Sequence, residues 1–82
     1  MILSDIMDVT KYTLEIKRHA FIRALERDID PDMIEATIKG GKIERFAKHN
    51  IKFSKSYKNF KVICMGEITG NKIKILTIEK GN

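Results

Sequence analysis

Only one cysteine stands in this sequence, Cys64, so an internal disulfide and a multi-cysteine metal site are both excluded. The two histidines, His19 and His49, add too little to build a metal centre, and none is expected. Tryptophan and glutamine are absent. No apolar run approaches the roughly 18 residues of a membrane span. The first eight residues carry Asp5 and Asp8 and no basic stretch, which argues against a signal peptide. Repeats, low-complexity tracts and Pro/Gly-rich linkers are missing as well. These absences lead to an expectation of one domain over residues 1–82, in the cytoplasm and away from membranes. The four phenylalanines and two tyrosines are expected to fill a small core before they serve as stacking platforms for bases.

Charge is abundant but unevenly placed. Residues 1–41 hold six bases and eight acids, a net −2, whereas residues 42–82 hold ten bases and three acids, a net +7. The densest stretch includes Lys48, Lys52, Lys55, Lys58 and Lys61, with Glu44 the one acid nearby. Such a patch suits a polyanion, with nucleic acid first and an acidic protein second. Lysines at this spacing also discourage edge-to-edge pairing of sheets. Because strand residues alternate faces, a spacing of three makes one ladder only if a turn or bulge intervenes.

The order of elements follows from local signals. Residues 1–10 form a mixed lead-in. Tyr12-Thr13-Leu14-Glu15-Ile16 has the alternation of a short strand. A helix is expected from about Lys17 to Asp28. Asp30-Pro31-Asp32 then reads as N-cap, first-turn proline and dipole-complementing acid of a second helix, which buries Met33, Ile34, Thr37 and Ile38 and stops at Gly40-Gly41. From Lys42 onward the pattern changes to strands, with turns near His49-Asn50 and Lys58-Asn59 and a hairpin at Thr69-Gly70-Asn71. The expected fold is α+β: two short N-terminal helices on one face of a four-stranded antiparallel sheet, with a possible short extra strand near residues 12–16. Gly66 reads as a bulge position, and Cys64 as a small buried hydrophobe.

The most informative run is His19-Ala20-Phe21-Ile22-Arg23-Ala24-Leu25-Glu26-Arg27-Asp28-Ile29. At about 100° per residue, His19, Arg23 and Arg27 form one stripe, with Phe21, Ala24, Leu25 and Ile29 expected on the opposite side. Histidine is the side chain that ordinarily titrates near neutral pH, and the arginines are permanent cations with planar forks. This set suits a phosphodiester. RNA can be cut by attack of its own 2′-hydroxyl on the adjacent phosphate, which asks for a base, an acid and cations for the developing charge, and no cofactor. His19 is the candidate base or acid, Arg23 and Arg27 the candidate clamp, and Glu26 a neighbour able to orient either arginine. The second proton-transfer group has to come from the sheet, where His49, Tyr57 and Lys80 are the candidates. The same stripe also fits an ordinary amphipathic surface helix.

The run H-A-x-x-R-x-x-E-R-x-I, followed by D-P-D, an apolar helix and G-G-K-I-E, resembles the opening of a prokaryotic family called domain of unknown function 4258. The strands at residues 57–68 and 72–78 look like that family's central and last strands, and the resemblance covers roughly residues 14–80. The family is similar in turn to the RelE-like and barnase-like toxin ribonucleases. The resemblance implies RNA cleavage or RNA binding, within a toxin–antitoxin pair whose second member is a small acidic protein. His19, Arg23 and Arg27 match the family positions directly, whereas Tyr57 and Lys80 rest on chemistry alone. Three readings stand at this level: a metal-independent endoribonuclease, a non-catalytic RNA- or DNA-binding module, and a protein-interaction domain. Monomer and homodimer are both open.

Overall fold

In a computed structural model, residues 11–81 are described, so the lead-in over residues 1–10 lies outside them. The chain runs β1 (Thr13–Ile16), α1 (Arg18–Glu26), α2 (Pro31–Gly40), β2 (Lys42–Phe46), β3 (Asn50–Ser56), β4 (Lys61–Thr69) and β5 (Lys72–Gly81). The α+β class and the two helices agree with the sequence. The sheet differs from the expected four antiparallel strands. It has five strands in the order β1-β5-β4-β3-β2 and is mixed, because β1 lies parallel to β5. The helices therefore do not come first. β1 joins the far side of the last strand, and α1 is part of the crossover that leads away from it.

Both helices cover one face. The side chains meeting there are Ala20 and Ala24 of α1, Ile34 and Ile38 of α2, Ile29 of the corner between them, and Ile51, Phe53, Val62, Cys64, Ile68, Ile73, Ile75 and Ile78 of the sheet. The α2 boundaries follow from its ends. Asp30 Oδ1 accepts a hydrogen bond from the Met33 amide at 2.9 Å, and Pro31 opens the first turn. At the other end, a Cβ on Gly41 would lie 2.5 Å from the carbonyl oxygens of both Thr37 and Ser54, so only glycine lets the chain pass there. The corner between the helices is turned by Asp28, whose φ of 64° is left-handed, a conformation Asp tolerates better than most residues.

One departure from expectation decides where the functional stripe sits. The buried line of α1 is Ala20 and Ala24, whereas Phe21 is half-buried and Leu25 is 44% exposed. The helix is thus rotated from the orientation in which Phe21 and Leu25 would be its buried face. Alanines allow α1 to approach β5 closely. His19 and Arg23 each sit one position before a buried alanine, and Arg27 one turn beyond Arg23, so they flank the helix–sheet contact instead of facing away from it.

A second departure lies in β5. The pairing of β4 with β5 slips between Met65 and Gly66, leaving Leu76 as an extra residue on β5. Burial switches parity there, from Ile73 and Ile75 to Ile78. Gly66 is required at this bulge, because a Cβ would run into the Lys74 carbonyl oxygen.

Candidate nucleic-acid interface

The β1 ladder on β5 covers Lys72 to Ile75 and ends where the Lys17 amide donates to the Ile75 carbonyl oxygen at 2.9 Å. Beyond that point β5 continues for six more residues with no strand on this side among the described residues. The first turn of α1 begins at the same place, so the helix runs beside the uncovered edge. The result is a shallow cleft of about 160 Å³ lined by His19, Ala20, Arg23 and Arg27 from α1 and by Leu76, Thr77, Ile78 and Glu79 from β5. The three stripe residues are thus brought to one concave surface. Among the described residues, none of the three is in an ion pair, and Glu26 pairs with neither arginine. Arg23 and Arg27 therefore keep their guanidinium forks for a ligand.

Lys80 and Tyr57 are placed elsewhere. Lys80 Nζ donates to the Arg27 carbonyl oxygen at 3.3 Å and lies 4.6 Å from the centroid of the Phe60 ring. Tyr57 donates its hydroxyl to the Met33 carbonyl oxygen at 3.3 Å and stacks on Phe60 with centroids 5.3 Å apart. Both side chains brace the helix ends against the β3–β4 hairpin, and neither lines the cleft. His49 is exposed in the β2–β3 turn, at the opposite end of the sheet from Lys80. Glu79 lies at the β5 margin of the cleft, but its neighbour Ile78 is buried under the helices and it is paired with Ile63, so its side chain is on the face away from the helices.

The five lysines of the basic stretch do not form one surface. Lys48 lies in the β2–β3 turn and Lys58 in the β3–β4 turn, at opposite ends of the sheet. Lys52 pairs with Met65 and Lys61 with Ser56, which puts both on the face away from the helices, and Lys52 makes an ion pair with Glu44 at 3.7 Å. Lys55 is opposite Val62, whose side chain is buried under the helices, so it points to the helix side. No turn or bulge intervenes between Lys52 and Lys55 to bring them onto one face.

A larger recess of about 530 Å³ lies between β1 and the helices, lined by Tyr12, Leu14, Ile16, Phe21, Ile34 and Ile38 among others. Its charged residues, Glu35 and Lys39, are paired with each other at 2.9 Å. It has space but little chemistry, so the smaller cleft is the better site. Cys64 is wholly buried in the core, and burial pushes its thiol up to about 12, which leaves no nucleophile there. Among the described residues no cluster of His, Cys, Asp and Glu could hold a metal ion, and no helix is long and apolar enough to cross a membrane. No known protein family, curated protein or solved structure matches this chain. The resemblance described above rests on its motif residues alone.

Proposed function

We propose that this protein binds RNA through the α1–β5 cleft and cuts its backbone there by attack of the 2′-hydroxyl. One observation carries the reading: His19, Arg23 and Arg27 line a single cleft, free of ion pairs among the described residues. The two arginines hold the phosphate through paired N–H donors, and their charge stabilises the extra negative charge of the five-coordinate phosphorus. His19 takes the 2′-hydroxyl proton as the 2′-oxygen bonds to phosphorus. A solvent water gives a proton to the departing 5′-oxygen. The products are a 2′,3′-cyclic phosphate and a free 5′-hydroxyl, and no cofactor enters the balance.

Incubation of the pure protein with single-stranded RNA tests this, with end-group analysis of any fragments. The expected result is 2′,3′-cyclic phosphate ends, lost in His19→Ala. Binding with no cleavage would reduce the function to the non-catalytic module. Cleavage that persists in His19→Ala would remove His19 from the chemistry.

A further inference from the structure

The larger recess, between β1 and the helices, is an opening in the apolar layer. Leu14 and Ile16 of β1 lie opposite Ile73 and Ile75, which are buried under the helices, so both side chains point to the helix side and form one wall. Phe21 of α1 and Ile34 and Ile38 of α2 form the others, and Tyr12 stands at the margin. Leu14 is 42% exposed, and Tyr12, Ile16 and Phe21 are half-buried. Among the described residues, these four large apolar side chains border about 530 Å³ with part of their surface uncovered.

The lining suits an apolar cover better than a small ligand. A ligand pocket adds a few well-placed polar groups to its apolar walls. Here the charged rim residues, Glu35 and Lys39, pair with each other at 2.9 Å, and the Tyr12 hydroxyl is the one other polar side-chain group in the lining among the described residues.

The chain itself arrives at this place. The Thr13 amide donates to the Asn71 carbonyl oxygen at 2.8 Å, which fixes the start of β1, and Tyr12, one position earlier, already lines the recess. The sequence ahead of Lys11 is divided by side. At about 100° per residue, Ile2, Leu3, Ile6, Met7 and Val9 fall within an arc of about 160°, and Ser4, Asp5 and Asp8 fall within about 100° on the other side. Eight residues of helix are about 12 Å long, which matches the roughly 13 Å of the four-residue strand β1 along the wall. Only Thr10 and Lys11 separate Val9 from Tyr12. So short a tether gives the segment an effective concentration at the recess on the order of millimolar, which a second copy reaches only at that concentration in solution.

We infer that residues 2–9 seat on this recess as an amphipathic helix, with Leu3, Ile6 and Met7 against Leu14 and Phe21 and with Asp5 and Asp8 in water. The recess is then the outer part of the hydrophobic core, completed by the segment that leads into β1. Phe21 belongs to the helix that carries His19 and Arg23, so the seated segment braces the α1–β5 cleft from the other flank, whatever that cleft binds.

Two measurements on the full chain test this. The first is nuclear Overhauser contacts in protein with labelled isoleucine, leucine and methionine methyl groups, read also in a mixture of labelled and unlabelled copies. Contacts from the Leu3, Ile6 or Met7 methyl groups to the Leu14 methyl groups or the Phe21 ring are expected within one copy. Absence of these contacts overturns the inference, and contacts found only between copies overturn it in favour of a second copy as the occupant. The second compares thermal midpoints of wild type, I6N, L14A, the I6N/L14A double variant and the control D5N. I6N is expected to lower the midpoint by about 4–8 °C in wild type and by clearly less in the L14A background, with D5N unfolding as wild type does. An I6N midpoint equal to that of wild type overturns the inference. An equal drop in both backgrounds, or a D5N drop as large as that of I6N, overturns it as well.

Discussion

The Lys80 ammonium donates a hydrogen bond to the main-chain carbonyl of Arg27, 53 residues earlier, at 3.3 Å. This contact ties the end of β5 to the end of α1 and so fixes the width of the cleft at its Arg27 end. A cation at a helix C-terminus also meets the negative end of the helix dipole, and the Phe60 ring lies under the same ammonium. Lys80 is therefore a brace for the site. Lys80→Met should lower stability by about 1 kcal/mol in urea unfolding. Lys80→Gln should leave the shape of the pH–rate profile for RNA cleavage unchanged. Loss of one limb of that profile would make Lys80 a proton donor instead.

The rotation of α1 is checked by two substitutions with opposite expectations. Ala24 is fully buried against the sheet, and Leu25 is 44% exposed. Ala24→Leu should cost about 1–3 kcal/mol through overpacking, whereas Leu25→Ala should cost less than about 1 kcal/mol. Thermal unfolding of the two variants measures both. The reverse ranking would return Leu25 to the core and turn the stripe away from β5.

Much of this architecture was legible locally. Asp30-Pro31 marked the α2 start, Gly40-Gly41 its end, and Thr69-Gly70-Asn71 the last hairpin, because each signal acts within a few residues. The parallel pairing of β1 with β5 was not legible, since residues 13–16 meet residues 72–75 only through the tertiary fold. The buried face of α1 was missed because hydrophobicity ranks Phe21 and Leu25 above alanine, while close helix–sheet approach favours the smaller side chain. Part of the bulge was visible: isoleucines at 73, 75 and 78 break a strict alternation. Reading that break would have put Ile78 in the core and Glu79 on the face away from the helices.

The bulge gives a prediction of its own. A side chain at Gly66 meets backbone, which cannot swing aside as a side chain can. Gly66→Ala should destabilise by more than about 2 kcal/mol or prevent folding, while Gly40→Ala, with open space around it, should be neutral or slightly stabilising. Circular dichroism with urea titration distinguishes them. Equal tolerance at both positions would place the strand slip elsewhere.

Cys64 predicts a pH effect. Burial pushes its pKa from 9.0 up to about 12, so the folded thiol keeps its proton where the unfolded one ionises. The associated stability is complete below about pH 9 and is lost as pH rises toward 12. Since one pKa unit is about 1.4 kcal/mol, raising the pH from 9 to 10 should cost wild type about 1 kcal/mol more than Cys64→Ala. Urea midpoints of the two proteins at pH 8.5, 9 and 10 read this difference. Parallel curves would mean that the thiol is reached by solvent.

The central claim, that the arginine stripe holds an RNA backbone against β5, is tested most directly by the salt dependence of single-stranded RNA binding in wild type and R23Q/R27Q. Two phosphate contacts at about 0.7 each predict a slope shallower by about 1.4 in the variant, with weaker binding at every salt concentration. Identical slopes and affinities would contradict the claim and return the stripe to the ordinary charged flank of a surface helix.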